Sequence, residues 1–155
     1  MSTSLRPRIG ALSILLAFFC LPGGESVATA AAGKLESTAN ADIYGRWKLS
    51  RVLDYADITS LTERQAHRLL GTAVLIRKDS FVINGELCET PSYGRTVEET
   101  ARTMREKGHV SSVRMGLPDM VTVIDAGCTD IFLKRPGVIV VQWDGFYFEA
   151  VRQGY

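Results

Sequence analysis

Val138–Arg152, VIVVQWDGFYFEAVR, is the stretch whose reading decides the fold. Two runs of β-branched and aromatic residues flank Asp144-Gly145, and Asp-Gly between such runs is a strong short-range hairpin signal. A type I′ turn needs positive φ at both central residues, which Asp tolerates and Gly adopts freely. In the second arm Phe146, Phe148 and Ala150 point one way, and Tyr147, Glu149 and Val151 the other. The first arm is apolar almost throughout, as expected of a strand covered on both faces.

Working outward, most of the chain reads as short strands closed around this hairpin. Ile43–Leu53 alternates, with Trp47, Leu49 and Arg51 expected on one face and Lys48, Ser50 and Val52 on the other. Gly45 allows a close backbone approach at its start. Leu61–Leu70 is expected to be a short helix, with Thr62 as N-cap and Gln65 completing a capping box; Ser60 with Glu63 is an alternative box. Gly71 is its expected stop. Thr72–Arg77, Ser80–Ile83 and Glu86–Cys88 form a meander, turning at Lys78-Asp79 and at a second I′ site, Asn84-Gly85. Pro91 takes Glu89–Tyr93 out of the sheet. Thr96 and Glu99 read as the capping box of a second helix, running to Lys107 and ended by Gly108. Met120–Asp125 and Asp130–Lys134 are further strands. The total is about eight strands and two short helices, and the expected fold class is mainly β (α+β), a small antiparallel barrel or strongly curled sheet.

The chain has 155 residues, 46% of them hydrophobic, enough for one domain with a core. Residues 1–30 read as a cleaved signal peptide. Arg6 and Arg8 form a basic start, Ile9–Leu21 an apolar run, and Ala28-Thr29-Ala30 an A-x-A cleavage signal. The apolar run is short of the ~20 residues of a membrane span. Cys20 raises the alternative of lipoprotein anchoring, against which stand the bulky Phe18 and Phe19 before it. Residues 31–42 read as a disordered leader, and 43–155 as the β-barrel domain. Removing residues 1–30 leaves sixteen basic and sixteen acidic side chains, so no strong field draws in nucleic acid or an anionic membrane.

In an exported protein the remaining Cys88 and Cys128 are most simply a disulfide, with two buried thiols as the alternative. No C-x-x-C or other paired ligand spacing points to a metal, and no motif points to a cofactor. His67, on a helix, and His109, in a loop, are the available bases for nucleophilic catalysis, and neither sits in a recognisable catalytic motif. A non-enzymatic protein is therefore expected. Arg102, Arg105 and Lys107 read as a solvated helix face. Trp143 and Tyr147 flank the Asp144-Gly145 turn and are the candidate ligand-binding residues at a barrel rim; cross-strand pairing is the plainer alternative.

Gly45-Arg46-Trp47 resembles the Gly-x-Trp signature on the first strand of lipocalins and related calycin barrels. There a basic residue of the closing strand packs across the Trp, and Arg152 stands in that position. The resemblance implies a barrel with Gly45, Trp47 and Arg152 in structural roles and a small apolar or amphipathic ligand. The helix after the first strand is more like fatty-acid-binding proteins, and no helix follows the last strand. Cys88-x-x-Pro91-x-Tyr93 and Trp143-Asp144-Gly145 also resemble stretches of small exported bacterial proteins of unassigned role. The expected function is thus a periplasmic or secreted, lipocalin-like binding protein for a small apolar ligand. The alternative is a module that binds an envelope protein, such as an inhibitor or immunity protein against an envelope hydrolase, using the segment between the cysteines.

Overall fold

The computed structural model describes residues 40–154; the signal segment, Cys20 and residues 31–39 of the expected leader lie outside the described residues. Nine antiparallel strands form one strongly curled sheet, a half-barrel: β1 (Gly45–Tyr55), β2 (Ala73–Ile76), β3 (Ser80–Ile83), β4 (Glu86–Glu89), β5 (Gly94–Glu99), β6 (Met120–Asp125), β7 (Asp130–Arg135), β8 (Val138–Trp143) and β9 (Phe146–Arg152). Their order is β4-β3-β2-β1-β9-β8-β7-β6-β5, two local meanders joined where β1 pairs with β9. Helix α1 (Glu63–Arg68) follows β1, and α2 (Thr100–Gly108) follows β5. No described helix is long and apolar enough to cross a membrane.

Both expected I′ turns form. Asn84 and Gly85 have φ of 52° and 82°, and Asp144 and Gly145 have 50° and 85°. Alternation in β9 is as read: Phe146, Phe148 and Ala150 enter the core inside the curl, while Tyr147 enters a second core on the outer face. β8 serves both, with Ile139 and Val141 inward and Val140 outward. The inner core draws Trp47, Leu49, Val74, Ile76, Phe81 and Ile83 from the opposite wing. The outer core is covered by Met104 of α2 and by Val110 and Met115 of the segment behind it. At α1, Thr62 Oγ1 accepts from Gln65 N–H and Gln65 Oε1 from Thr62 N–H, so the Thr62 box is the one used.

Three expectations are corrected. Residues 94–99 are a strand, giving nine rather than eight, and α2 begins at Thr100 behind Glu99, which makes no side-chain cap. Thr96 Oγ1 instead donates to Glu98 Oε1. The left-handed residue that closes α2 is His109 (φ 54°), not Gly108. Gly108 lies within the helix, at a position where a β-carbon would overlap the Tyr147 hydroxyl. In β1 the register slips between Leu49 and Arg51 and again between Val52 and Asp54. Such bulges put an extra residue on one strand and shift side-chain parity. Val52 therefore packs on the inner core, while Arg51 is exposed and reaches Glu149 Oε2 at 3.2 Å.

The seam between β1 and β9 is fixed at its end by Arg152, whose guanidinium lies 4.3 Å from the Trp47 ring centroid. The same group donates to the Tyr44 carbonyl at 2.8 Å and to the Asp42 carbonyl. A β-carbon on Gly45 would stand 2.9 Å from Arg152 Nη1, and Gly45 has φ of 140°, so the glycine makes room for the stack. Asn40, buried, donates to the Tyr93 carbonyl, and Arg95 holds Asp42 at 2.6 Å, so residues just before Ile43 pack onto the body. Cys88 of β4 is bonded to Cys128 between β6 and β7. The bond draws one edge of the curl toward the far wing, and it is compatible with an oxidising, extracellular environment.

Glu149 lies between Lys134 (2.7 Å) and Arg51 on the outer face. Burial opposes its charge, but the hydrogen bond and charge of Lys134, then Arg51, hold its carboxyl below the ordinary value of 4.5. A depressed carboxylate stabilises the fold above its unfolded pKa, and that contribution fades as pH falls through the folded value. Stability should therefore decline below about pH 4.5, and Glu149→Gln should flatten that acid limb in urea titrations run across pH. Arg152→Met should cost about 2–4 kcal/mol through lost stacking and charged hydrogen bonds, read by the same denaturation. Cys88→Ser should cost about 4 kcal/mol in the chain-entropy description of a 40-residue loop, measured under oxidising conditions.

Candidate functional site

The Asp144–Gly145 turn is the floor of one end of the half-barrel, and three other segments gather on it. The loop after β1 is hydrogen-bonded to the turn backbone, Ala56 N–H to Gly145 O at 2.7 Å and Ser60 N–H to Asp144 O at 3.1 Å. Gly145 is required for this seating. A β-carbon there would lie 2.5 Å from Ile58 O and 2.8 Å from Thr59 Cα. The turn after β6 is shaped by Asp125, whose Oδ1 accepts from Gly127 N–H at 2.6 Å, and by Thr129 Oγ1, which donates to Gln142 O. The end of α2 supplies Lys107, Gly108 and His109.

Two clefts adjoin along this rim and share Lys107, Gln142 and Gly145. The first, about 430 Å³, is lined by Asp125, Asp130 and Asp144 with the Gly127–Thr129 turn. The second, about 420 Å³, is lined by Ala56, Asp57, Ile58, Gly108 and His109. Lys107 Nζ holds Asp130 Oδ2 at 2.9 Å. Partial burial disfavours its charge, but Asp130, Glu98 and Asp125 outweigh this and raise its pKa. His109 Nδ1 lies 3.2 Å from Asp57 Oδ2, with both side chains largely exposed, so the pair adds little stability. With Lys107 engaged, Asp57, Asp125 and Asp144 leave the rim acidic. Ile58, 88% exposed, lines the second cleft beside Asp57, while Tyr55, 50% exposed, ends β1 with its ring against Phe146.

Trp143 and Tyr147 do not form one rim pair. The two-residue turn places Trp143 opposite Phe146 and Tyr147 opposite Gln142. Trp143 is therefore on the inner side, partly buried and packed against Phe81 with ring centroids 6.3 Å apart. Tyr147 is fully buried on the outer side beside Phe132, and its phenol is pushed up to about 12, chiefly by burial. Gly45, Trp47 and Arg152 meet at the opposite end of β9, as described above. His67 is an exposed residue of α1, apart from the rim. Among the described residues no group of three or more His, Cys, Asp or Glu is placed to hold a metal ion.

Sequence reading passed over most of the rim. Lys107, expected with Arg102 and Arg105 on a solvated face, reaches Asp130 across the fold. Asp57, Ile58, Asp130 and Gln142 carry no motif. One legible signal existed, Ile58, a β-branched apolar residue between two polar segments of a loop. Comparison with known proteins adds no family: no protein-family model, no curated protein and no solved structure matches the chain.

A paired substitution tests how the rim is built. Gly85→Ala, in an open turn with φ of 82° and nothing within 4 Å, should cost about 1 kcal/mol of left-handed strain. Gly145→Ala carries the same strain and should lose a further 1–3 kcal/mol, roughly, by displacing the Ile58–Thr59 backbone. Equal thermal shifts for the two would mean that the loop is not seated on the turn.

Proposed function

We propose that the protein is an exported, non-enzymatic, lipocalin-like module that binds another protein at the Asp144–Gly145 rim. The observation that carries this reading is the filled interior. Trp47, Phe81, Phe146 and Phe148, with Leu49, Ile76, Ile83 and Ile131, meet inside the curl at 2% exposure or less. A small barrel filled by its own side chains has spent on packing the space that a ligand would occupy. What it offers outward is a rim on which the exposed Ile58 stands beside Asp57, with Asp125, Asp130 and Asp144 in the adjoining cleft. An apolar centre with a charged border is the ordinary anatomy of a protein interface, and the acidic border favours a basic partner surface. An envelope hydrolase with a cationic active-site cleft has that character. The periplasm or cell exterior is the setting proposed from the signal-like residues 1–30 and the disulfide.

A small apolar or amphipathic ligand is the second reading. It draws on a cleft of about 360 Å³ at the other end of the sheet, lined by Trp47, Leu133, Pro136 and Ile139 together with Asp42, Lys134 and Arg135.

The test is affinity capture from an envelope extract with the parent and with Ile58→Glu, followed by a direct binding titration of the captured partner. Ile58 is so exposed that the variant should melt with the parent. Its affinity should fall by about tenfold or more, as for an anchor at the centre of an interface. A partner held equally by both proteins would place the contact away from this rim.

A further inference from the structure

The two ends of the curled sheet are unlike. β4 is four residues long, has Glu86 and Glu89 at its ends, and is tethered through Cys88. β5 is six residues long, pairs with β6 without a register break, and is exposed at every position except Glu98, which is half-buried. It contains no proline or bulge, two of the devices that commonly blunt an edge strand. Val97 at its centre is 64% exposed, and Met120, diagonal to it on the same face of the sheet, is 56% exposed.

We propose that β5 is a self-association edge, through which two copies of this chain pair antiparallel about a two-fold axis at Val97. An axis perpendicular to the sheet keeps like faces together, so directly opposed residues must share parity. Centring on Val97 sets Val97 against Val97 of the second copy, Thr96 against Glu98, and Arg95 against Glu99. Every charged residue then meets an opposite charge or a hydroxyl, and opposed pairs of this kind favour a register. Arg95 keeps its bonds to Asp42 and Asn40 and gains a neighbour of opposite sign. The exposed Val97 side chains of the two copies cover each other, with Met120 flanking. A six-residue pairing is small beside the roughly 1,200–2,000 Å² of a stable interface, so the association is weak and concentration-dependent. The start of β5 borders the rim, Gly94 pairing with Asp125, but the pairing about Val97 uses the free edge of the strand and does not rest on the proposed function.

Sedimentation velocity over a concentration series, together with cysteine cross-linking, tests this. The parent should move from the mass of one chain toward two as concentration rises. Val97→Lys, which opposes two like charges at the axis, should stay monomeric with an unchanged melting temperature. Val97→Cys should form a covalent dimer under mild oxidation, because its two copies face each other directly. Thr96→Cys should form much less, being displaced from its own copy by two positions. A parent that stays monomeric at every concentration, with no Val97→Cys dimer, would overturn the proposal. So would a dimer that Val97→Lys leaves intact, which would place the interface elsewhere. Cross-linking at residue 96 equal to or stronger than at 97 would overturn the register and the dyad.

Discussion

The pairing of β1 with β9 is the interaction on which the rest of the molecule depends. On either side of it the sheet pairs strands that are consecutive in the chain, hairpins β2-β3-β4 in one wing and β6 through β9 in the other, with β5 joined to β6 through α2. Such local pairings cost little chain entropy to close. Bringing Gly45–Tyr55 against Phe146–Arg152 closes nearly the whole domain, and the cost of that closure must be met by packing. Trp47 and Arg152 sit at the end of that seam. The indole anchors itself through its N–H to Ile43 O at 2.8 Å, and the guanidinium covers the ring while binding two carbonyls of the incoming chain. Strand pairing, core packing and the course of the N-terminal residues meet at that one stack.

From the seam follow both the closed interior and the open rim. Curling brings Phe81 and Ile83 of one wing against side chains of the other, and the Cys88–Cys128 bond holds the wings in that relation. The bulges in β1 turn Val52 inward and release Arg51 to the Lys134–Glu149 pair. The strand can thus serve the inner core along its length while its far end departs toward Tyr55 and Ile58. Filling the inside shifts the weight of the functional reading to the outside. There, loop backbone seated on a glycine turn displays Ile58 among carboxylates.

How far this was legible follows from which residues carry local signals. Asn84-Gly85 and Asp144-Gly145 could be read because positive φ restricts composition, and the Thr62–Gln65 box because two side chains satisfy two backbone donors. The inner face of β9 could be read because Phe146, Phe148 and Ala150 recur on it at every second position. β5 escaped because both its faces are solvated. Arg95-Thr96-Val97-Glu98-Glu99 carries no alternation, and a Thr three residues before a Glu imitates a helix cap. Gly108 was read for its freedom of φ, when its smallness beside Tyr147 is what the fold uses. The rim was the least legible part. Its members come from four separate segments, and apart from Asp144-Gly145 and Ile58 none is unusual in its own neighbourhood.

Native mass spectrometry of the protein isolated from its own source, set beside its denatured mass, tests the central claim most directly. A half-barrel filled by its own side chains should give the same mass in both states apart from any protein partner, with a deficit of two hydrogens for the Cys88–Cys128 bond. A retained species of a few hundred daltons, released on denaturation, would contradict the filled interior and return the function to small-molecule binding.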